Sequence, residues 1–177
     1  MRLIVAITGA SGVRLGKRFV EALPDAIEKQ LILSQNARTV FEKEHHVANL
    51  HILDNDDIAA PVASGSFKCD AMAVIPTSMN TLAKIACGIA DNLTTRAAAV
   101  QIKEQRKLLL APREMPFSPV ALENMLKLAR LQIIIAPPVP GYYASIGTLE
   151  QMEDFMIGKW FDLLGIEHRL FQRWGET

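Results

Sequence analysis

The sequence predicts an α/β fold of three layers: a mainly parallel sheet covered by helices on both faces. Short, nearly continuous apolar runs recur at residues 3–7, 30–33, 71–75, 107–111 and 132–136, and helix-periodic segments stand between them. Strands buried on both faces read as continuous apolar runs, and the regular alternation implies parallel crossovers. Polar residues follow each of the first four runs directly, and Tyr143 follows the loop after the fifth, which in such folds marks the ligand-binding rim beyond the carboxyl ends of the strands.

Taken in order, the first strand turns through Thr8-Gly9-Ala10-Ser11-Gly12 into a helix through Leu23, stopped by Pro24. The glycines let backbone approach a ligand closely. The second strand ends at Ser34, and a helix is expected over 37–44. His45, His46 and His51 read as exposed loop histidines with no ligand spacing. Asp54-Asn55-Asp56-Asp57 reads as a solvated acidic loop, because Ala59 stands where a calcium loop needs Gly and no Glu closes it. The third strand stops at Pro76, and a helix starts at Ser78 or Asn80 with Leu82, Ile85, Ala86 and Ile89 on its apolar side. A helix start leaves amides without partners at a positive dipole end, suited to an anion or an electron-rich ring edge.

Residues 91–103 form a further helix with Arg96 and Lys103 on roughly one face, and the fourth strand ends in Pro112-Arg113-Glu114. Ser118 caps a helix that has Pro119 at its first position and runs to Arg130. After the fifth strand, the proline-rich stretch ending at Tyr142-Tyr143 is a stiff extended loop. Thr148 and Gln151 make a capping box for a last helix through Leu164, which carries Lys159. Phe171-Gln172-Arg173-Trp174 predicts a tail, about 165–177, that docks on a neighbouring subunit.

The 177 residues suffice for a single domain spanning 1–177. Nineteen basic and nineteen acidic residues cancel, so charge gives no reason to expect nucleic acid or an anionic membrane as partner. A hydrophobic share of 50% and a mean hydropathy of +0.16 point to buried contacts between subunits. No apolar run approaches the ~20 residues that span a bilayer. Two cysteines, Cys69 and Cys87, without CxxC spacing suit reduced thiols in a cytoplasmic protein and no metal site.

The run Pro76-Thr77-Ser78-Met79-Asn80-Thr81-Leu82-Ala83-Lys84-Ile85-Ala86-Cys87-Gly88-Ile89-Ala90-Asp91-Asn92-Leu93 resembles the signature of the homo-oligomeric FMN-binding flavoproteins. With Thr8-Gly9-Ala10-Ser11-Gly12, Ala63-Ser64-Gly65-Ser66-Phe67, Pro112-Arg113-Glu114 and Leu122-Glu123-Asn124-Met125-Leu126, the chain from about 3 to 168 is similar to the UbiX-type flavin prenyltransferases. The resemblance implies a Rossmann/flavodoxin-like domain. It implies that FMN is held by Gly9, Ala10, Ser11, Ser34, Ser78, Met79, Asn80, Thr81 and Arg113. It implies transfer of a dimethylallyl group from dimethylallyl monophosphate to N5 and C6 of reduced FMN, the prenylated FMN serving a UbiD-type decarboxylase.

Catalytic positions implied are Glu114, Glu44, Lys103 and Arg96, with Tyr143 and Lys159 on the donor phosphate. Glu114 is the general acid/base candidate, since a carboxyl beside a phosphate dianion can carry a proton. A homo-oligomer, trimer-based and dodecameric, is implied with the flavin at a subunit boundary. The chain departs from the family at Val13-Arg14-Leu15, Gln35 and Ala144-Ser145-Ile146, all on the side expected for the prenyl phosphate. An FMN-dependent cysteine-type decarboxylase and a non-catalytic FMN carrier are the alternatives; His51 stands too far before Pro76 to match the catalytic histidine of the former.

Overall fold

The computed structural model describes residues 1–34, 49–142, 146–173 and 175. They fall into two compact units, Met1–Pro137 and Pro138–Thr177. The helix expected over 37–44, with Glu44 and Gln35, lies outside the described residues, as do Tyr143 and Trp174.

The first unit holds six strands: β1 (Arg2–Ile7), β2 (Glu28–Leu33), β3 (Leu50–Asp54), β4 (Ala71–Thr77), β5 (Lys107–Pro112) and β6 (Ile134–Ile135). Every neighbouring pair is parallel, in the order β3-β2-β1-β4-β5-β6. The chain fills one side of β1 and then crosses to start the other side with β4. The order therefore reverses between β1 and β4, the place where doubly wound sheets open a crevice for ligands.

Five strands were expected, and β3 is the sixth. The sequence places His51 in a loop; the structure finds His51, Ile52 and Asp54 exposed, but on a strand. As an edge strand it is held by pairing with β2 from Lys29 to Leu33, and needs no apolar run. The last strand is shorter than 132–136. Gln132 takes φ +62°, and the Ile133 amide still bonds back to Leu128 O at 3.3 Å to close the preceding helix. Beyond Ala136, Pro137 and Pro138 have no N–H with which to extend the ladder.

Side-chain alternation sends Ile4, Ala6, Met72, Val74, Leu108 and Leu110 to one face, against α2 (Met79–Cys87) and α3 (Leu93–Lys103). The helix α1 (Val13–Ala22) lies on the other face, where Gly16 sits on the Ile75 carbonyl and the Ile7 side chain. A Cβ at Gly16 would run into that backbone oxygen. The acidic loop after β3 is only partly a solvated loop. Asp54 and Asp57 accept the Asp56 and Ala59 amides, each at 3.1 Å, as turn carboxylates. Asn55 instead ties down the start of α3, whose N-cap is Asn92, its Oδ1 accepting from Thr94 N at 3.1 Å and from the Thr94 hydroxyl at 2.7 Å. A fourth helix, α4 (Pro119–Arg130), starts from the Ser118 cap as expected.

In the second unit, Thr148 and Gln151 form the expected capping box of α5 (Leu149–Leu164), which ends at Gly165 with φ +78°. The tail folds back on α5 of its own chain: the Phe171 ring lies tilted 5.1 Å from that of Phe155, and Gly158 leaves room for it. Asp162 binds both guanidinium nitrogens of Arg173, at 2.7 and 3.1 Å, and His168 Nε2 at 3.1 Å. No helix among the described residues is long and apolar enough to cross a membrane.

Two outcomes are expected. Gly16→Ala should lift α1 from β4 and lower the urea-derived stability by about 1–3 kcal/mol, the usual range for overpacking. The Arg173 hydrogen bonds, with a smaller contribution from His168, hold the Asp162 carboxyl below its ordinary range. A depressed carboxylate pKa stabilises above the unfolded value, and the effect is lost as pH falls through the folded one. Limited proteolysis of the tail should therefore accelerate on acidification below the ordinary aspartate range, and Asp162→Asn should show the fast rate already at neutral pH.

Candidate functional site

At the point where strand order reverses, one buried hydroxyl joins the two strand ends. Thr8, 5% exposed, donates from Oγ1 to Pro76 O at 2.8 Å and accepts from Ser78 N at 2.9 Å. The turn after β1 is thereby fixed to the turn after β4. On the β1 side, Gly9, Ala10 and Ser11 lead to Gly12, which takes φ +107° at the start of α1, and no side chain caps that helix.

On the β4 side, Ser78 is the N-cap of α2. Its Oγ accepts the Thr81 amide at 3.2 Å and donates to Thr81 Oγ1 at 3.0 Å. The Ser78 hydroxyl thus caps the helix. The Met79 and Asn80 amides are left without a partner among the described residues.

One strand further, Thr77 does for β5 what Thr8 does for β1. The β4–β5 register breaks between Val74 and Thr77, which takes a ladder acceptor from β5. Thr77 Oγ1 supplies it, accepting from Ala111 N at 3.0 Å and donating to Val74 O at 2.7 Å. The Thr77 carbonyl then accepts the Arg113 amide at 3.2 Å, so Arg113 and Glu114 leave β5 from a fixed point. Neither threonine was singled out from sequence. The available signal was a hydroxyl at the end of an otherwise apolar strand.

Ser34, at the end of β2, and Arg113, at the end of β5, bracket this centre. The Ser34 hydroxyl and Arg113 Nε are both buried with no hydrogen-bond partner among the described residues. Buried polar atoms are normally paired, so both are open to a ligand atom. Between β2 and β5 lie three strand spacings, roughly 14 Å. A single molecule that satisfies both must lie along the rim, offering acceptors such as phosphate oxygens or ring carbonyls. Glu114 is exposed beside Arg113 and takes the Met115 amide at 3.1 Å.

The structure does not bring the whole expected set to this rim. Lys103 is the last residue of α3, four residues ahead of the amino end of β5, whereas the start of α3 is bonded to Asn55 just beyond the carboxyl end of β3. Eleven helical residues separate these levels by about 16 Å. Lys103 Nζ pairs with Glu104 at 3.1 Å beside Gly65, and Arg96 Nε reaches Ala63 O at 3.4 Å. Arg96, Lys103 and the 63–67 loop, where Ser64 and Ser66 hydroxyls bond at 2.8 Å, make a second cluster on the outer side of α3. His51 lies on the amino half of β3, away from the rim. Lys159 is an exposed position of α5 in the second unit. No group of three or more His, Cys, Asp or Glu among the described residues could hold a metal ion.

A doubly wound sheet with such a rim is the frame of a flavin-binding protein, and the Flavoprotein family model matches residues 1–159; the chain belongs to that family. Within it, the chain belongs to the UbiX-type flavin prenyltransferases. It is 47% identical to flavin prenyltransferase UbiX of Helicobacter pylori strain J99, over 99% of both chains. A dodecameric FMN-dependent UbiX-like decarboxylase from Escherichia coli O157:H7 superposes with a TM-score of 0.91 at 41% identity, covering 98% of this chain and 99% of that one. AnUbiX (PadA1), solved in complex with FMN and dimethylallyl pyrophosphate, gives a TM-score of 0.91 at 39% identity, covering 99% and 98%.

Arg113→Lys keeps the charge but removes the orphaned Nε and the planar fork. It is expected to weaken binding of the rim ligand about tenfold or more, the scale of a charged hydrogen bond. Ser34→Ala is expected to act in the same direction more mildly. Flavin fluorescence titration of each variant measures both.

Proposed function

We propose that this protein is a flavin prenyltransferase that joins the dimethylallyl group of dimethylallyl monophosphate to N5 and C6 of reduced FMN, the donor's C–O bond breaking to release inorganic phosphate and the flavin giving up a proton, for use by a UbiD-type decarboxylase. The observation that carries the flavin reading is the pair of orphaned buried groups, Ser34 Oγ and Arg113 Nε, at either end of the rim. FMN fits them: it is long enough to lie across the strand ends and carries acceptors at both its phosphate and its ring. The Gly9-Ala10-Ser11 turn, the Met79 and Asn80 amides and the Thr81 hydroxyl would hold it between. When bound and reduced, FMN supplies the electron-rich atoms that take the prenyl carbon.

The chain's own residues do the rest. Glu114, exposed at the end of β5, moves the proton that departs from or returns to the reacting centre. Tyr143 and Lys159 hold the phosphate of the donor, and Glu44 assists there. Free thiols at Cys69 and Cys87 support a cytoplasmic protein.

Arg96 and Lys103 act at the rim of a neighbouring copy. Two observations support the reading for Lys103. It stands about 16 Å below its own rim level, and Leu122 and Leu126, one turn apart on α4, are exposed apolar residues that association would cover. A homo-oligomer built on trimers, dodecameric as in the E. coli relative, brings such faces together.

Incubating the protein with FMN, a reductant and dimethylallyl monophosphate, then weighing the released flavin, tests the activity. A flavin heavier by one dimethylallyl unit is expected; unmodified FMN recovered at full occupancy leaves a carrier. Glu114→Gln should retain FMN while turnover falls by roughly 10²–10⁴. Full turnover in that variant removes Glu114 from the chemistry.

A further inference from the structure

Resting on the flavin reading above, the inference concerns what aims the donors of α2. The Thr8 hydroxyl works within the protein: it donates its proton to Pro76 O and accepts a hydrogen bond from Ser78 N. Its Oγ1 therefore has no further proton to offer a ligand. What it fixes is the first peptide of the α2 start.

Once Ser78 N is held, the remaining bonds of the cap follow. Ser78 Oγ takes the Thr81 amide, and Ser78 O takes the Leu82 amide at 2.9 Å. The Met79 and Asn80 amides are then the donors of this helix start with no partner among the described residues. Their direction is set by the Ser78 peptide, which is anchored to β1 by a bond spanning 70 residues of chain.

We infer that Thr8 is the positioning residue of the flavin site, its hydroxyl clamping the α2 start to the end of β1. The Met79 and Asn80 amides thereby stay in register with the Gly9–Ser11 turn. The residue type follows from the role. One side-chain atom must donate and accept at once, which Val cannot do, and branching at Cβ restricts the rotamer, which Ser lacks.

The experiment uses the full chain, reading FMN dissociation constant by fluorescence titration and melting temperature in parallel. Thr8→Val is expected to raise the FMN dissociation constant about tenfold when measured well below its melting temperature. Thr8→Ser, which keeps both bonds, should stay within about twofold of wild type. A merely structural Thr8 would lower the melting temperature and leave FMN affinity unchanged, and that result overturns the inference. If Thr8→Val does not fold, Thr8→Cys, a weak donor and acceptor, replaces it; equal FMN affinity in the Ser and Cys variants is the contrary outcome. Wild-type protein that binds no FMN overturns the flavin reading itself, whereas wild-type binding with an unaffected Val variant overturns only the role of Thr8.

Discussion

The rim depends on two threonine hydroxyls that do the work of missing ladder bonds. Parallel strands leave their last amides without partners, and at a ligand rim those amides must stay fixed while remaining near water. Thr77, fully buried, fills the gap where β4 and β5 lose register, and Thr8 ties β1 to the turn beyond β4. Without the Thr77 hydroxyl the Ala111 amide would be buried and unpaired, at a cost of about 1–3 kcal/mol. With both in place, the ends of β1, β4 and β5 form one rigid edge. The glycine turn, the α2 start and Arg113 depart from that edge at fixed positions.

Because the edge is rigid, its open valences have meaning. Ser34 and Arg113 carry buried polar atoms that the described protein does not satisfy, and the helix start between them keeps two amides in reserve. Neutral donors with one guanidinium suit a phosphate joined to a flat polar ring. The cations of α3 are split between two levels: Arg96 is in its first turn, and Lys103 is at its far end, level with the amino ends of the strands. A site assembled from two copies reconciles the two. The position of Lys103 then becomes a statement about assembly.

Much of this was legible locally. The Ser118–Pro119 helix start and the Thr148–Gln151 capping box involve neighbours within a turn, so the sequence pattern carries them. The polar residues after apolar runs, Ser34 and Arg113 among them, do stand just beyond strand ends, because both the run and its stop are local signals. Edge strand β3 was hidden because its stability comes from pairing with β2, while its own residues are half polar. Thr8 and Thr77 were hidden as anchors because their partners lie 68 and 34 residues away. A spacing of seven put Arg96 and Lys103 on one helical face, yet spacing carries no information about which end of the sheet that face reaches.

The account stands or falls on whether one site draws on two chains. Lys103→Ala and Glu114→Gln, each expected to be inactive alone, can be co-expressed with different tags and isolated as mixed oligomers that bear both. A site that takes Glu114 from one copy and Lys103 from another is intact in about a quarter of random arrangements, so the mixture should recover about that share of wild-type turnover. Mixed oligomers that bind FMN fully yet show no more turnover than either parent would mean that each chain supplies both residues to its own rim.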